Sequence, residues 1–204
     1  GGYDTTGNAL AVHVVGSLAF VADDYAGLEV IEVSNPANPV RLGGYAGAGH
    51  PSAVHVVGSL AYVAAYSAGL EVIDVSNPAN PVRLGGFDTG GFASDVQVVG
   101  NVAYVADDLA GLQVIDVSNR AIPARLGGHA TGGNGLAVQV VGNVAYVADD
   151  HAGLQVIDVS NPANPVQVGG YDTSGEASRV QVVGDRVYVA DGFSGLLVLE
   201  KASP

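Results

Sequence analysis

The sequence predicts an all-β protein assembled from five copies of one antiparallel meander, and three observations carry that expectation. A Gly-Gly pair followed by Tyr, Phe or His recurs at Gly1, Gly43, Gly85, Gly127 and Gly169, a fixed period of 42 residues. Within each period, short β-rich apolar runs alternate with turn residues, and no stretch of useful length shows helical spacing. Each period also carries a two-residue, Gly-first turn, at Gly16-Ser17, Gly58-Ser59, Gly100-Asn101, Gly142-Asn143 and Gly184-Asp185. A repeat of this length marks one supersecondary unit copied and stacked.

The first copy justifies its elements in order. Ala11 to Val15 forms an innermost strand, and the Gly16-Ser17 turn has the signature of a type II′ hairpin, whose twist matches the flanking strands. Leu18 to Ala22 follows as the second strand. Asp23 to Gly27 makes a loop, and Leu28 to Val33 the third strand. Ser34 to Pro39 breaks the chain, because each Pro fixes φ and removes a donor. Val40 to Leu42 then runs as a fourth strand into the next Gly-Gly.

Centring the first turn pairs Val15 with Leu18 and His13 with Phe20. Centring the last pairs Glu32 with Arg41, a cross-strand ion pair repeated at Asp74/Arg83 and Asp116/Arg125 and lost at Asp158/Gln167. One face is expected to carry Val12, Val14, Val21 and Val30, and the other Val15, Phe20, Ile31 and Leu42. Both faces are apolar, so each meander needs cover on both sides, and copies of itself supply it. Four-stranded sheets stacked face to face around an axis make a β-propeller. The expectation is therefore a single five-bladed domain over 1–204, with repeats at 1–42, 43–84, 85–126, 127–168 and 169–204. The last copy lacks a fourth strand, and the N-terminal Gly1-Gly2-Tyr3-Asp4 segment is expected to complete it.

The phrases LEVIDVSNPANPVRLGGYD and VHVVGSLAYVAD resemble the LVIVD repeat, whose core stands at Leu28 to Glu32, Leu70 to Asp74 and Leu112 to Asp116. The resemblance covers essentially the whole chain, departing at Asn119 to Pro123 and in the final copy. It implies a propeller and favours an extracellular or cell-surface setting. It implies no common catalytic activity, so no catalytic residue is carried across.

Composition narrows the function. Seven basic against twenty acidic residues give a net charge of −13, which repels nucleic-acid phosphates and anionic lipid, so neither is an expected partner. No run of about 18 apolar residues is present, so no membrane insertion is expected. No targeting segment is visible, and a chain that opens at Gly1 and contains no Met reads as an excised domain or a design. Zero Cys excludes disulfides, thiolate metal sites and Cys nucleophiles. No nucleophile elbow or phosphate-binding Gly loop stands out. No enzyme, cofactor or metal is therefore expected, although residues spread over several blades could still assemble a dispersed site.

Comparing the copies separates scaffold from variable surface. Variation collects in the loop leading into the innermost strand and in the loop joining the second and third strands, which an antiparallel meander places on one side. The candidate ligand-binding residues are Asn8, Tyr25, His50, Tyr66, Phe92, Asp95, Asn134, His151, Glu176, Arg179 and Phe193. His13, His55, Gln97, Gln139 and Gln181 share one innermost-strand position and are expected to form a hydrogen-bonding ring around a channel. The paired Asp residues at 23–24, 107–108 and 149–150 are expected to bond loop amides rather than hold a cation.

The expected function is a monomeric, non-enzymatic binding or structural module whose variable loop face holds a protein or carbohydrate. Two alternatives are a lectin-like small-ligand binder with pockets between blades, and a repeat-amplified or engineered scaffold without a ligand.

Overall fold

The computed structural model describes residues 1–47 and 49–201. Among these described residues, nineteen strands form five antiparallel sheets in chain order. The first contains β1 (Ala9–Val15), β2 (Leu18–Asp23), β3 (Gly27–Glu32) and β4 (Val40–Tyr45). The second contains β5 (Ala53–Val57), β6 (Leu60–Ala64), β7 (Leu70–Asp74) and β8 (Val82–Phe87). The third runs β9 (Asp95–Val99), β10 (Val102–Ala106), β11 (Leu112–Asp116) and β12 (Ala124–His129). The fourth runs β13 (Ala137–Val141), β14 (Val144–Ala148), β15 (Leu154–Asp158) and β16 (Val166–Tyr171). The fifth holds β17 (Ala177–Val183), β18 (Arg186–Asp191) and β19 (Leu196–Glu200), with a short 3-10 turn at Gly192–Ser194.

The first hairpin follows the expected register, with Val15 opposite Leu18 and His13 opposite Phe20. Gly16 sits at φ 61° and the following Ser17 is not in the positive-φ region, the combination that separates a type II′ turn from type I′. The last hairpin differs by one residue. Ile31 lies opposite Arg41 and Glu32 opposite Val40, with an irregularity at Val30/Ile31. Arg41 therefore reaches along its face to Glu29, its Nη2 donating to Oε1 at 3.0 Å, instead of to Glu32. Glu32, Asp74, Asp116 and Asp158 accept from the N–H groups of Ser34, Ser76, Ser118 and Ser160. Those N–H groups, with the serine hydroxyls, hold Asp74, Asp116 and Asp158 below the usual carboxylate range.

The expected faces also need one correction. The middle hairpin places Phe20 opposite Val30 and Ala22 opposite Leu28, so Val30 shares a face with Phe20, and Ile31 shares one with Val21. One face of each sheet thus carries an aromatic, Ala, Leu and Val: Phe20, Ala22, Leu28 and Val30 in the first copy. The other carries Val12, Val14, Ala19, Val21 and Ile31. We call these the aromatic face and the valine face.

Stacking follows from that polarity. The aromatic face of the first sheet buries against Val54, Val56, Ala61, Val63 and Ile73 of the second. The same arrangement joins the second sheet to the third, the third to the fourth and the fourth to the fifth. The innermost strands β1, β5, β9, β13 and β17 run side by side through the stack.

The Gly-Gly pair makes this stacking close. A Cβ on Gly43 would lie 2.6 Å from the carbonyl oxygens of Pro78 and Ala79 in the next sheet's Asn-Pro turn. Gly85 meets Arg120 and Ala121 in the same way, and Gly127 meets Pro162 and Ala163. The second glycine roofs the ion pair, since a Cβ on Gly44 would lie 2.8 Å from the Arg41 guanidinium.

The completing fourth strand expected for the last sheet is not formed by the N-terminal segment. The fifth sheet is three-stranded. Gly1 lies instead against Pro36 and Ala37 of the first sheet, 2.2 Å from hypothetical Cβ to the Ala37 oxygen. The Pro36-Ala37 turn offers Gly1 the same seat that Gly43 finds in the Pro78-Ala79 turn of the next sheet.

Candidate functional site

Each innermost strand is an edge of its sheet and leaves N–H groups pointing away from its hairpin partner. The His/Gln position satisfies them across each junction. Val56 N–H donates to His13 Nδ1 at 2.7 Å, and Val98 N–H to His55 Nδ1 at 3.1 Å. Val140 and Val182 N–H donate to the side-chain oxygens of Gln97 and Gln139, both at 2.6 Å. Imidazole and amide act here as interchangeable acceptors, and the hydrogen bonds of this series run from each side chain to the backbone of the next innermost strand, as latches. The two imidazoles also stack, centroids 4.9 Å apart and planes 12° from parallel. Each Nδ1 accepts a proton donor, so both rings are neutral. Burial, with the neighbouring His13 ring adding to it, lowers His55 to about 4, and burial lowers His13 as well.

Gln181 holds the same position on β17. Asp95 and Arg179 also lie on innermost strands, away from the loop rim where the sequence placed them. Asp95 Oδ2 accepts from Val138 N–H at 3.0 Å and Oδ1 from Val96 N–H at 2.9 Å, so Asp95 is a fifth latch. Burial raises its pKa, opposed by those two N–H groups and by the charge of Arg179.

The first Asp of each Asp pair turns inward to fix the leading loop of its own sheet. Asp149 accepts from the Thr131 hydroxyl and, at 3.0 Å, from Gly133 N–H. Asp107 accepts from Thr89 Oγ1 at 2.6 Å, and Asp23 from Gly7 N–H at 3.2 Å. Burial pushes Asp107 and Asp149 upward against these bonds. The second copy has Gly47 and Ala65 where the others have Thr and Asp, so both partners are lost together. That paired loss was the sequence signal for this contact, and comparing single columns of the repeat missed it.

The second residue of the pair has a backbone role. Tyr66, Asp108 and Asp150 sit at φ 45°, 44° and 51°, and Gly192 at 51°. In this left-handed turn each of the first three forms a two-way main-chain bridge to the next sheet, with Ala93, Gly135 and Ala177. Asp tolerates that conformation better than most residues. The first junction departs from the pattern because the bridging position is Pro51, which has no N–H to donate. Asp24 keeps negative φ there, and its carboxylate contacts His50 Nδ1 at 2.8 Å.

At these junctions, bridged or not, the loop between second and third strands lies against the leading loop of the next sheet. Tyr25 meets His50 edge-on with centroids 5.6 Å apart, and Tyr66 meets Phe92 at 6.5 Å. Asn134 donates to Asp150 at 3.1 Å within the fourth sheet. His151 Nε2 lies 3.9 Å from Glu176, and those two with Phe193, Ser174 and Ser194 line a cavity of about 210 Å³. Asn8 is exposed on the same rim, its carbonyl accepting from Asp24 N–H. Leu109, omitted from the sequence candidates, is strongly exposed at the position equivalent to Tyr25 and His151. Among the described residues, no three His, Asp or Glu side chains gather closely enough to hold a metal ion.

The LVIVD repeat matches residues 6–46, 48–89, 90–131, 132–173 and 174–200, and the chain belongs to this repeat family. No curated protein matches the chain. Among solved structures it is similar in fold to the computationally designed Ika8 protein, at 12% identity and TM-score 0.70, over 93% of this chain and 57% of that one. It is also similar to the computationally designed Ika4 protein, at 14% identity and TM-score 0.57, over 76% of this chain and 94% of that one. The chain thus spans little more than half the length of the Ika8 protein.

Proposed function

We propose that the chain is a run of β-propeller blades serving as a non-enzymatic binding module, with its contact surface on the rim formed by the paired loops. The observation that carries this reading is the separation of backbone from side chain at that rim. Three of the four junctions share a main-chain bridge, while the side chains set on the rim there change from Tyr66/Phe92 through Leu109 to His151/Glu176, and the unbridged first junction sets Tyr25 against His50 on the same rim. A fixed backbone with changing side chains presents one extended, non-repeating surface, which suits a protein or peptide partner better than equivalent small-ligand pockets. Exposed Tyr25, Phe92 and Phe193 supply the aromatic anchors that such contacts favour.

The lectin-like alternative has one feature in its favour, the cavity between His151, Glu176 and Phe193, where an aromatic face lies beside polar groups. A peptide-display selection against the folded chain, run beside a glycan array, separates the readings. The expected result is peptide binders that are lost in a Tyr25→Ser/Phe92→Ser/Phe193→Ser variant with unchanged melting. Glycan binding abolished by Glu176→Gln supports the lectin reading instead. Silence in both assays leaves the ligand-free scaffold.

A further inference from the structure

We propose that the rim holds a cationic segment of a partner protein, rich in Arg and Lys and interspersed with apolar residues. This rests on the reading of the rim as the contact surface, and it adds the chemistry of what that surface takes. The charges of the chain are sorted between the two sides of the sheets. The leading loops and the loops between second and third strands emerge on the rim side, and the Gly-first and Asn-Pro turns on the opposite side. Six of the seven basic residues belong to that opposite side. Arg41, Arg83 and Arg125 follow the turns between third and fourth strands, and Arg120 stands within one of them. Arg186 follows the Gly184-Asp185 turn, and Lys201 donates from Nζ to the Gly184 carbonyl at 3.2 Å. Glu32, Asp74, Asp116 and Asp158 share this side, so its charge is mixed.

The rim has no such balance. Asp24, Asp108 and Asp150 come from the loops between second and third strands, and Asp88, Asp172 and Glu176 from the leading loops. All six reach solvent wholly or in part, whereas the first Asp of each pair is buried. Asp88 accepts from the Gly90 N–H at 3.0 Å and Asp150 from the Asn134 amide at 3.1 Å, both neutral donors. Imidazoles stand beside Asp24 and Glu176, and among the described residues no Lys or Arg pairs with any of the six. The seventh basic residue, Arg179, is on innermost strand β17, where its charge acts on Asp95.

Apolar surface accompanies these carboxylates. Tyr25 and Leu109, next in the chain to Asp24 and Asp108, are 76% and 77% exposed, and Phe92 is half-exposed against Tyr66. A carboxylate without a cation beside an exposed ring suits a guanidinium or ammonium on an aliphatic stem. The head bonds the carboxylate while the stem or the guanidinium plane covers the ring. An anionic segment would meet six like charges instead. The sorted charge also steers a cationic segment to the rim before contact. The carboxylates are spread along all four junctions, and among the described residues no three acidic or imidazole groups gather around one point. That spread fits an extended segment and not a single metal ion.

The test selects a random displayed peptide library against the folded chain at low salt, then measures the best recovered peptide by fluorescence anisotropy. The recovered peptides are expected to be enriched in Arg and Lys and depleted in Asp and Glu relative to the unselected library, with affinity falling as salt rises. Asp108→Asn/Asp150→Asn should weaken that peptide about tenfold. Asn tolerates the left-handed conformation of these two positions, so melting should match the parent. Asp74→Asn/Asp116→Asn removes the same charge from the opposite side and should weaken binding less than about twofold, because screening confines exposed charges to their own surroundings. Equal weakening by the two variants would reduce the effect to net charge and overturn the proposal. Binders without Arg and Lys enrichment that are still lost in Tyr25→Ser/Phe92→Ser/Phe193→Ser would overturn the cationic class and leave the rim standing as the contact surface. A selection that recovers no binder removes both.

Discussion

Acidification should weaken this fold through His55 in a way that a neighbouring copy's residue prevents. In the folded chain His55 accepts Val98 N–H and is held near 4, while the unfolded chain leaves a histidine at its ordinary value of about 6.5. A folded value below the unfolded one means that the unfolded state takes up the proton first. The contribution is complete above about pH 6.5 and is lost as pH falls towards 4, with no further loss below that. The full difference corresponds to about 3 kcal/mol at 1.36 kcal/mol per pH unit, and partial exposure of the ring reduces the expected loss to about 1–2 kcal/mol. Buried Asp107 and Asp149 act in the opposite direction, because their raised folded values make protonation favour the folded state. Urea unfolding of the parent and of His55→Gln from pH 7.5 to 4 removes that shared background by difference. Gln holds this position in three of the five copies, so the latch survives. The two stabilities should converge or cross as pH falls, the parent losing about 1–2 kcal/mol more. Parallel curves would refute the neutral-acceptor role of His55.

Three further outcomes follow from packing. Gly85→Ala should destabilise by about 1–3 kcal/mol, since its Cβ would lie 2.5 Å from the Arg120 carbonyl, whereas Gly169→Ala, 3.8 Å from the Val156 side chain, should change stability little. Chemical denaturation reads both. Thr131→Val removes the hydroxyl that satisfies buried Asp149 and should cost about 1–3 kcal/mol, and adding Asp149→Ala should cost less than the two single losses combined, as a double-mutant cycle would show. Arg83→Ala strips the partner from Glu71, which is only 4% exposed, and should cost about 2 kcal/mol; Arg125→Ala faces the neutral Gln113 and should cost under about 1 kcal/mol by the same assay.

Most of the architecture was legible because its causes are local. The Gly-first turns specify both partners of the first hairpin, and Val15 opposite Leu18 followed directly. The last hairpin was not legible to the same precision, because the long Ser-Asn-Pro-Ala-Asn-Pro loop sets no parity and an irregularity at Val30/Ile31 shifts the pairing by one. That single residue moves Arg41 from Glu32 to Glu29, and the register of the middle hairpin, with Phe20 opposite Val30 and Ala19 opposite Ile31, exchanges the faces of Val30 and Ile31. The rim was legible as a place of variation, yet the pairing of Tyr25 with His50 or of His151 with Glu176 depends on how neighbouring sheets stack. Asp95 looked like a loop residue because it varies among the copies. Its position on an edge strand, facing an unpaired Val138 N–H, exists only once the sheets are assembled.

Each sheet of the stack is latched by one side chain to the innermost strand of the next. Residue-resolved amide exchange at submicromolar concentration tests it most directly. The N–H groups of Val56, Val98, Val140 and Val182 should be strongly protected in the parent, and that of Val98 should exchange orders of magnitude faster in His55→Ala, which removes its acceptor. Fast exchange at these four N–H groups in the parent, or protection of Val98 unchanged in His55→Ala, would contradict the account.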